Sequence, residues 1–221
     1  MTGERIYGGR SAERRRADRH AQLLTAGRER FADDGWAGAT VAGICRTAGL
    51  SPRYFYEHVD DRESLFLAVV EHIADEVEGV VRAAAATEGA DPVQRARLVL
   101  EAVAAYFAAD PRAVRVALIE SLATPEFRVR RRELLARFAE LATRLMAALR
   151  DRDDPGPATP PSTAGVPSGA QLAGTLLTGG LVELLIAWAT AADAPASPGS
   201  GTSPAEAVDH LVVLAAAVAR L

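Results

Sequence analysis

The stretch TVAGICRTAGLSPRYFYEHVDDRESLF, Thr40 to Phe66, decides the fold. Thr40 is a good N-cap for VAGICRTA, because its hydroxyl oxygen can accept from an orphan amide of the first turn. Gly49 supplies the left-handed residue that ends this helix. Ser51 caps a second helix, and Pro52 takes its first position, where a missing N–H costs nothing. That second helix is expected to run about two turns, to near Val59. Two short helices joined by Gly-Leu-Ser make the connection of a helix-turn-helix, whose second helix enters the major groove of DNA. A close crossing needs a small residue on the first helix, met by Cys45, and an apolar plug on the second, met by Phe55. An ordinary helical corner shares these features, so the remaining side chains have to separate the two readings.

Sorted at 3.6 residues per turn, Phe55 and Val59 face inward, Arg53, Tyr56 and Glu57 form a second stripe, and Tyr54 with His58 a third. Only one of the three consecutive aromatics is core, in a chain that is 5% aromatic. Tyrosine, arginine and histidine can all donate to phosphate oxygens, and arginine can also grip guanine through two hydrogen bonds. Thr40 adds a hydroxyl at a helix N-terminus, where backbone amides favour an anion. Asp60-Asp61-Arg62-Glu63 has capping-box spacing with Asp60 as the expected cap of the next helix. Arg62 is then oddly placed, since the first turn of a helix prefers acids. A phosphate would explain it, and so would pairing with Asp60 or Asp61.

Working outward, helical periodicity dominates the chain and the expected fold class is all-α, with about nine helices. A first helix spans about Ser11 to Asp34, its face carrying Ala21, Leu24, Gly27 and Phe31, and Gly35 ends it. Later helices are expected near Asp91–Ala109, Pro111–Ala123, Pro125–Arg152, Ala170–Ala192 and Pro204–Leu221. The Pro/Gly/Ser/Thr-rich run over about 153–169 has no periodicity and is expected to be a flexible loop. The segment Leu172–Ala192 is long enough to cross a bilayer. Glu183 stands in its middle and neither end has a basic flank, so a core helix that also packs on a second subunit is favoured over a membrane span.

The 221 residues carry a net charge of −4, spread unevenly. Residues 1–30 hold eight arginines against four acidic residues, a surplus of four, leaving −8 for the rest. A basic arm, residues 1–14, on an acidic body suggests a local polyanion contact, or a solvated tail. Every basic residue counted as Lys or Arg is an arginine, which fits a high-GC codon bias and says little about function. The single cysteine, Cys45, allows no internal disulfide and fits a reducing, cytoplasmic setting. The N-terminal basic run has no apolar stretch behind it, unlike a secretory signal.

No HExxH, Glu-x-x-His pair, phosphate loop, GxGxxG or G-x-S-x-G appears. The four histidines, His20, His58, His72 and His210, have no metal-ligand spacing. Neither an enzyme, nor a metal, nor a cofactor is expected.

With LLTAGRERFADDGWAGATV before it, the quoted stretch resembles the N-terminal DNA-binding domain of TetR-type transcriptional regulators over about Arg15 to Val70. The resemblance implies a helix-turn-helix domain at 15–60 and a helical ligand-binding and dimerisation domain at 61–221. Thr40, Tyr56 and His58 match the family's phosphate-holding positions. Arg62 stands where a lysine is usual, and Pro52, Arg53 and Tyr54 match the base-reading positions. Arg46 and Ser51 complete the candidate set. Val59 replaces a usual phenylalanine, and Gly27 stands where alanine is commoner and should soften the first helix.

The family's mode of action implies a homodimer, joined through the two C-terminal helices, on a near-palindromic DNA operator, most simply as a repressor that a small-molecule effector releases. Candidate ligand contacts are Tyr106, Phe107, Glu120, Phe127, Glu183 and Trp188. A buried Glu183 would suit a cationic or hydroxylated ligand, or lie structurally on the dimer seam. A helical small-molecule-binding protein with a degenerate helix-turn-helix is the alternative.

Overall fold

The computed structural model describes residues 7–150, 169–191 and 204–218, and these residues contain no strand. The helices are α1 (Tyr7–Asp33), α2 (Gly35–Gly38), α3 (Val41–Ala48), α4 (Pro52–Tyr56), α5 (Arg62–Ala85), α6 (Pro92–Ala109), α7 (Pro111–Val114), α8 (Pro125–Arg150), α9 (Gly169–Ala191) and α10 (Pro204–Val218). The chain divides into two compact units, Met1–Ile73 and Ala74–Leu221. The boundary falls inside α5, beyond the expected break at residue 60. Leu65, Phe66, Val69, Val70 and Ile73 are all buried, so the first half of α5 completes the core of the first unit.

In that unit α1 starts earlier than the sequence suggested, so residues 7–14 of the expected flexible arm are helical. The added turn, Tyr-Gly-Gly-Arg, carries two glycines of low helix propensity, which is why the sequence places the start near Ser11. Residues 1–6 of the arm lie outside the described residues.

Gly35 has φ 69° and ends α1 as expected, but a single extra turn, α2, follows before Thr40. Leu23, Leu24, Ala26, Phe31 and Ala32 are buried on α1, whereas Ala21 is exposed. Gly27 has a packing reason that its helix propensity hides. A Cβ there would stand 3.0 Å from Cγ2 of Val69 and 3.2 Å from Cδ2 of Leu65. The glycine lets α5 lie close against α1.

Phe31, Trp36 and Phe66 form an aromatic triad with centroid separations of 5.1 to 5.9 Å. Their tilted and edge-on arrangement suits the ring quadrupoles.

The second unit is built on α6, α8, α9 and α10. Asp91 and Gln94 form a reciprocal capping box at the start of α6. Gly174 on α9 permits a very close approach to α8, since a Cβ there would lie 2.5 Å from the backbone oxygen of Ala139. Ala96, Ala173, Leu177 and Leu211 make one core cluster, and Ala104, Val208 and Val212 another. The single helix expected over Pro111–Ala123 changes pitch along its length. After α7 it widens to a π turn at Arg115–Ile119 and tightens to a 3-10 turn at Glu120–Leu122. Buried Ser121 donates to the Ala117 carbonyl at 2.6 Å, supplying that acceptor with a side-chain partner.

The expected loop over about 153–169 lies outside the described residues except for Gly169, which opens α9.

Candidate nucleic-acid interface

The helix-turn-helix forms as the sequence indicated, with two local corrections. Thr40 Oγ1 accepts from the Gly43 amide at 3.1 Å and caps α3. Gly49, at φ 67°, ends that helix and donates to Arg46 O at 3.3 Å. Cys45 and Phe55 are buried where the two helices meet, and burial pushes the Cys45 thiol pKa up, as for a packing residue. The first correction concerns α4, which ends at Tyr56 rather than near Val59. The His58 and Val59 amides both donate to the Phe55 carbonyl, closing the turn. Ser51 holds the N-cap position with extended backbone but makes no side-chain cap. The second correction concerns α5. Asp61, not Asp60, caps it, accepting from the Ser64 amide at 2.7 Å, and that hydrogen bond holds the Asp61 carboxyl below its ordinary range.

The outward residues fall into groups with different freedom. Tyr56 is 60% exposed, and its ring rests edge-on against Phe55 at 5.2 Å. Arg53 is 87% exposed, with Nε bonded to Glu57 Oε1 at 3.1 Å. A long side chain held by one nitrogen keeps the rest of its donor fork outward. Pro52, Arg46, Thr40 and Ser51 are exposed along the same helix starts. These residues make a surface of hydroxyl and guanidinium donors.

Tyr54, His58 and Arg62 are more constrained than their sequence positions implied. Tyr54 is 39% exposed, and the Arg19 guanidinium carbon lies 4.9 Å from its ring centroid. His58 Nδ1 donates to the Tyr54 carbonyl at 2.8 Å, while its Nε2 is buried without a hydrogen-bond partner. Its ring stacks on His20 with centroids 6.5 Å apart. A phosphate contact from His58 therefore requires the ring to turn.

Arg62 pairs with neither Asp60 nor Asp61. Its guanidinium carbon lies 4.0 Å from the Trp36 ring centroid, and Nη1 donates to the Ala39 carbonyl. The charge is thereby tied to the chain just before Thr40.

Arg19 and His20 were not foreseen as part of this surface. The signal was present in the stripe His20, Leu24, Gly27, Phe31, whose 4-3-4 spacing extends the inward face of α1 one turn toward its N-terminus. The side chains on that extra turn meet α4.

In the second unit the candidate ligand contacts scatter. Phe107 and Phe127 are buried, and Tyr106, Glu120 and Trp188 are half-buried. Tyr106 packs edge-on against Phe107 at 5.0 Å and donates to Glu76 Oε2 at 2.7 Å. Glu183, expected to be buried, is exposed on α9. It shares a helical stripe with exposed Leu172 and Leu176, because the other side of α9 is taken up by Ala173, Leu177, Val182 and Leu185. This helix has the length and apolarity of a membrane span, and one of its faces packs within the unit through Gly174. Among the described residues no group of three or more His, Cys, Asp or Glu side chains is placed to hold a metal ion.

The described residues are all helical, with an N-terminal helix-turn-helix, the motif whose second helix enters the DNA major groove, and a larger second helical unit. The model for bacterial regulatory proteins of the tetR family matches residues 23–69, within the first unit. It is 38% identical over 88 residues to the HTH-type transcriptional activator FasR of Mycolicibacterium smegmatis, a match covering 39% of each chain.

Two structures share the fold over most of their length. The fatty acid degradation regulator FadR of Bacillus halodurans superimposes with TM-score 0.71 at 16% identity, covering 89% of this chain and 93% of that one. FadR of Bacillus subtilis in complex with stearoyl-CoA gives 0.69 at 16% identity, covering 89% and 97%.

Proposed function

We propose that the protein is a transcriptional regulator that binds a near-palindromic operator as a homodimer and is released by a small-molecule effector. The observation that carries the reading is the outward donor surface on α3 and α4, where Thr40, Arg53 and Tyr56 surround a helix start shaped for the major groove. Arg53, held at one nitrogen, is the base reader, and Thr40 and Tyr56 hold phosphates. Arg62 acts indirectly by fixing the segment that presents Thr40.

Leu172, Leu176, Val213 and Leu214 are large apolar side chains exposed on α9 and α10. A second copy packed on this face would bury them and set two recognition helices on one DNA. Glu183 then lies on the seam, not in a pocket.

The effector acts by favouring one spacing of the two recognition helices over another, and the shift is bounded by its differential affinity for the two states. Helix α5 runs unbroken across the boundary between the units and is the element through which the spacing changes. Because a neighbour of this fold holds stearoyl-CoA, acyl-CoA is the effector class to test first. Operator occupancy represses where the operator overlaps a promoter and activates where it lies upstream, so the sign belongs to the operator's placement.

The test is a pair of variants measured against specific and unrelated duplexes. Tyr56→Phe should weaken binding to both alike and flatten the salt dependence, the mark of a lost phosphate contact. Arg53→Ala should cost about 1–3 kcal/mol on the specific duplex alone. Unchanged affinity in both variants would favour the alternative, a small-molecule-binding protein whose helix-turn-helix no longer reads DNA.

A further inference from the structure

We propose that the N-terminal part of α1 is a second DNA contact, in which Arg15, Arg16 and Arg19 continue the recognition surface and grip phosphates flanking the bases read by α4. The proposal rests on the DNA-binding reading above and extends it to residues outside the helix-turn-helix.

Three observations lead to it. The first is position. Arg19 lies over the Tyr54 ring and His20 stacks on His58, so the face of α1 bearing residues 19 and 20 abuts α4 and the turn after it. One turn back on that face, Arg15 precedes Arg19 by four residues and Arg16 precedes His20 by four.

The second is the lack of a core role. Residues 13–18 are all exposed, and the first buried side chain of the described part of α1 is Leu23. The backbone nevertheless stays helical back to Tyr7, about three turns before Arg19.

The third is charge. Residues 1–30 carry a surplus of four positive charges in a chain whose remainder carries −8. By the 100° step of the helix, Asp18 points with Arg14 away from this face, and Glu13 sits at its margin beside Arg16. A helix turn that serves no core, carries arginines on one face and abuts the recognition helix is matched in charge by the phosphates beside the groove. Arg15 and Arg16 stand about 6 Å along the helix from Arg19 and His20. DNA presents a phosphate per ~3.4 Å of axis on each strand, so the strip adds about two phosphates per protomer.

The test uses the full chain and a duplex enriched by it from a random pool, made in a bare form and in one extended by about half a helical turn at each end. The intact protein should bind the extended duplex roughly ten-fold more tightly at moderate salt, with a steeper salt dependence. The double variant Arg15→Gln/Arg16→Gln should bind both lengths alike, its log–log salt slope shallower by about 2 per protomer. Arg53→Ala should bind both lengths more weakly yet keep the gain from extension. Both altered arginines are exposed, so an unchanged melting temperature is expected to accompany the loss. A double variant that keeps the gain, or an intact protein that shows none, overturns the strip and leaves the DNA reading standing. An intact protein that enriches no duplex overturns the DNA reading, and the strip with it.

Discussion

The Arg62 guanidinium lies over the Trp36 ring, 4.0 Å from its centroid, and donates to the carbonyl of Ala39, the residue before the α3 cap. Trp36 in turn packs edge-on against Phe66 at 5.5 Å and tilted against Phe31 at 5.9 Å. One side chain thus links the start of α5, the turn α2 and the entry to α3. Lysine would keep the charge but lose the planar stack. Arg62→Lys is expected to cost about 1 kcal/mol of stability of the first unit, the size of a partly exposed cation–π contact. It should weaken binding to all DNA sequences equally by shifting Thr40. Trp36→Leu should reproduce both effects, which urea unfolding and binding titrations would show. An Arg62→Lys protein as stable as the parent would mean that the arginine serves only as an external charge.

Substitution by alanine should be costly at two glycines, to different degrees. At Gly27 the added Cβ gains about 1 kcal/mol of helix propensity. It also presses on Val69, whose branched side chain cannot easily turn within a helix, at a cost of about 1–3 kcal/mol. Gly27→Ala should therefore be mildly destabilising, by about 1 kcal/mol, in thermal or urea unfolding. At Gly174 the obstacle is backbone, with Ala139 O at 2.5 Å, and α8 would have to move off α9. Gly174→Ala should cost more than about 3 kcal/mol or abolish folding of the second unit. A Gly174→Ala protein as stable as the parent would contradict the close helix approach.

The first unit should weaken in mild acid. Burial, then the neighbouring His58 and His72, hold the His20 pKa below its ordinary value of 6.5. The folded state therefore binds this proton less readily than the unfolded chain. The stability it contributes is fully present above the unfolded value and is lost as pH falls through 6.5 toward the folded value. Melting of the first unit should drop between pH of about 7.5 and 5.5, and His20→Gln should reduce that drop. An identical drop in the variant would assign the effect to other groups.

Much of this was legible in the sequence because local chemistry wrote it there. Thr40, Gly49 and Pro52 each mark a helix end by a rule that acts within a few residues, and the structure places all three where those rules put them. Cys45 and Phe55 were readable because a helix-turn-helix imposes size at fixed positions. What the sequence hid depends on partners far along the chain. Gly27 looked like a weak point until Leu65 and Val69 came against it. Arg62 fits either a phosphate contact or pairing with Asp60 or Asp61 by sequence, whereas in the fold it lies over Trp36 and donates to the Ala39 carbonyl. Asp60 and Asp61 are adjacent and alike, so only the backbone path could choose between them. The apolar neighbours of Glu183 suggest burial, but the helix sorts them to both sides and leaves Glu183 exposed.

The exposed apolar face of α9 and α10 should hold two copies together. Leu172→Glu with Leu176→Glu introduces four like charges across a two-fold seam, which is expected to yield a monomer in sedimentation equilibrium. The monomer should lose affinity for the full operator while keeping weak binding to a half-site. A double variant that remains dimeric would place the subunit interface elsewhere.

Whether two copies of α4 read one DNA is decided by selection of bound sequences from a random duplex pool. A two-fold symmetric motif whose half-sites lie about one helical turn apart should be enriched, with enrichment reduced by Arg53→Ala. A pool in which no sequence is enriched, or only motifs without two-fold symmetry, would contradict it.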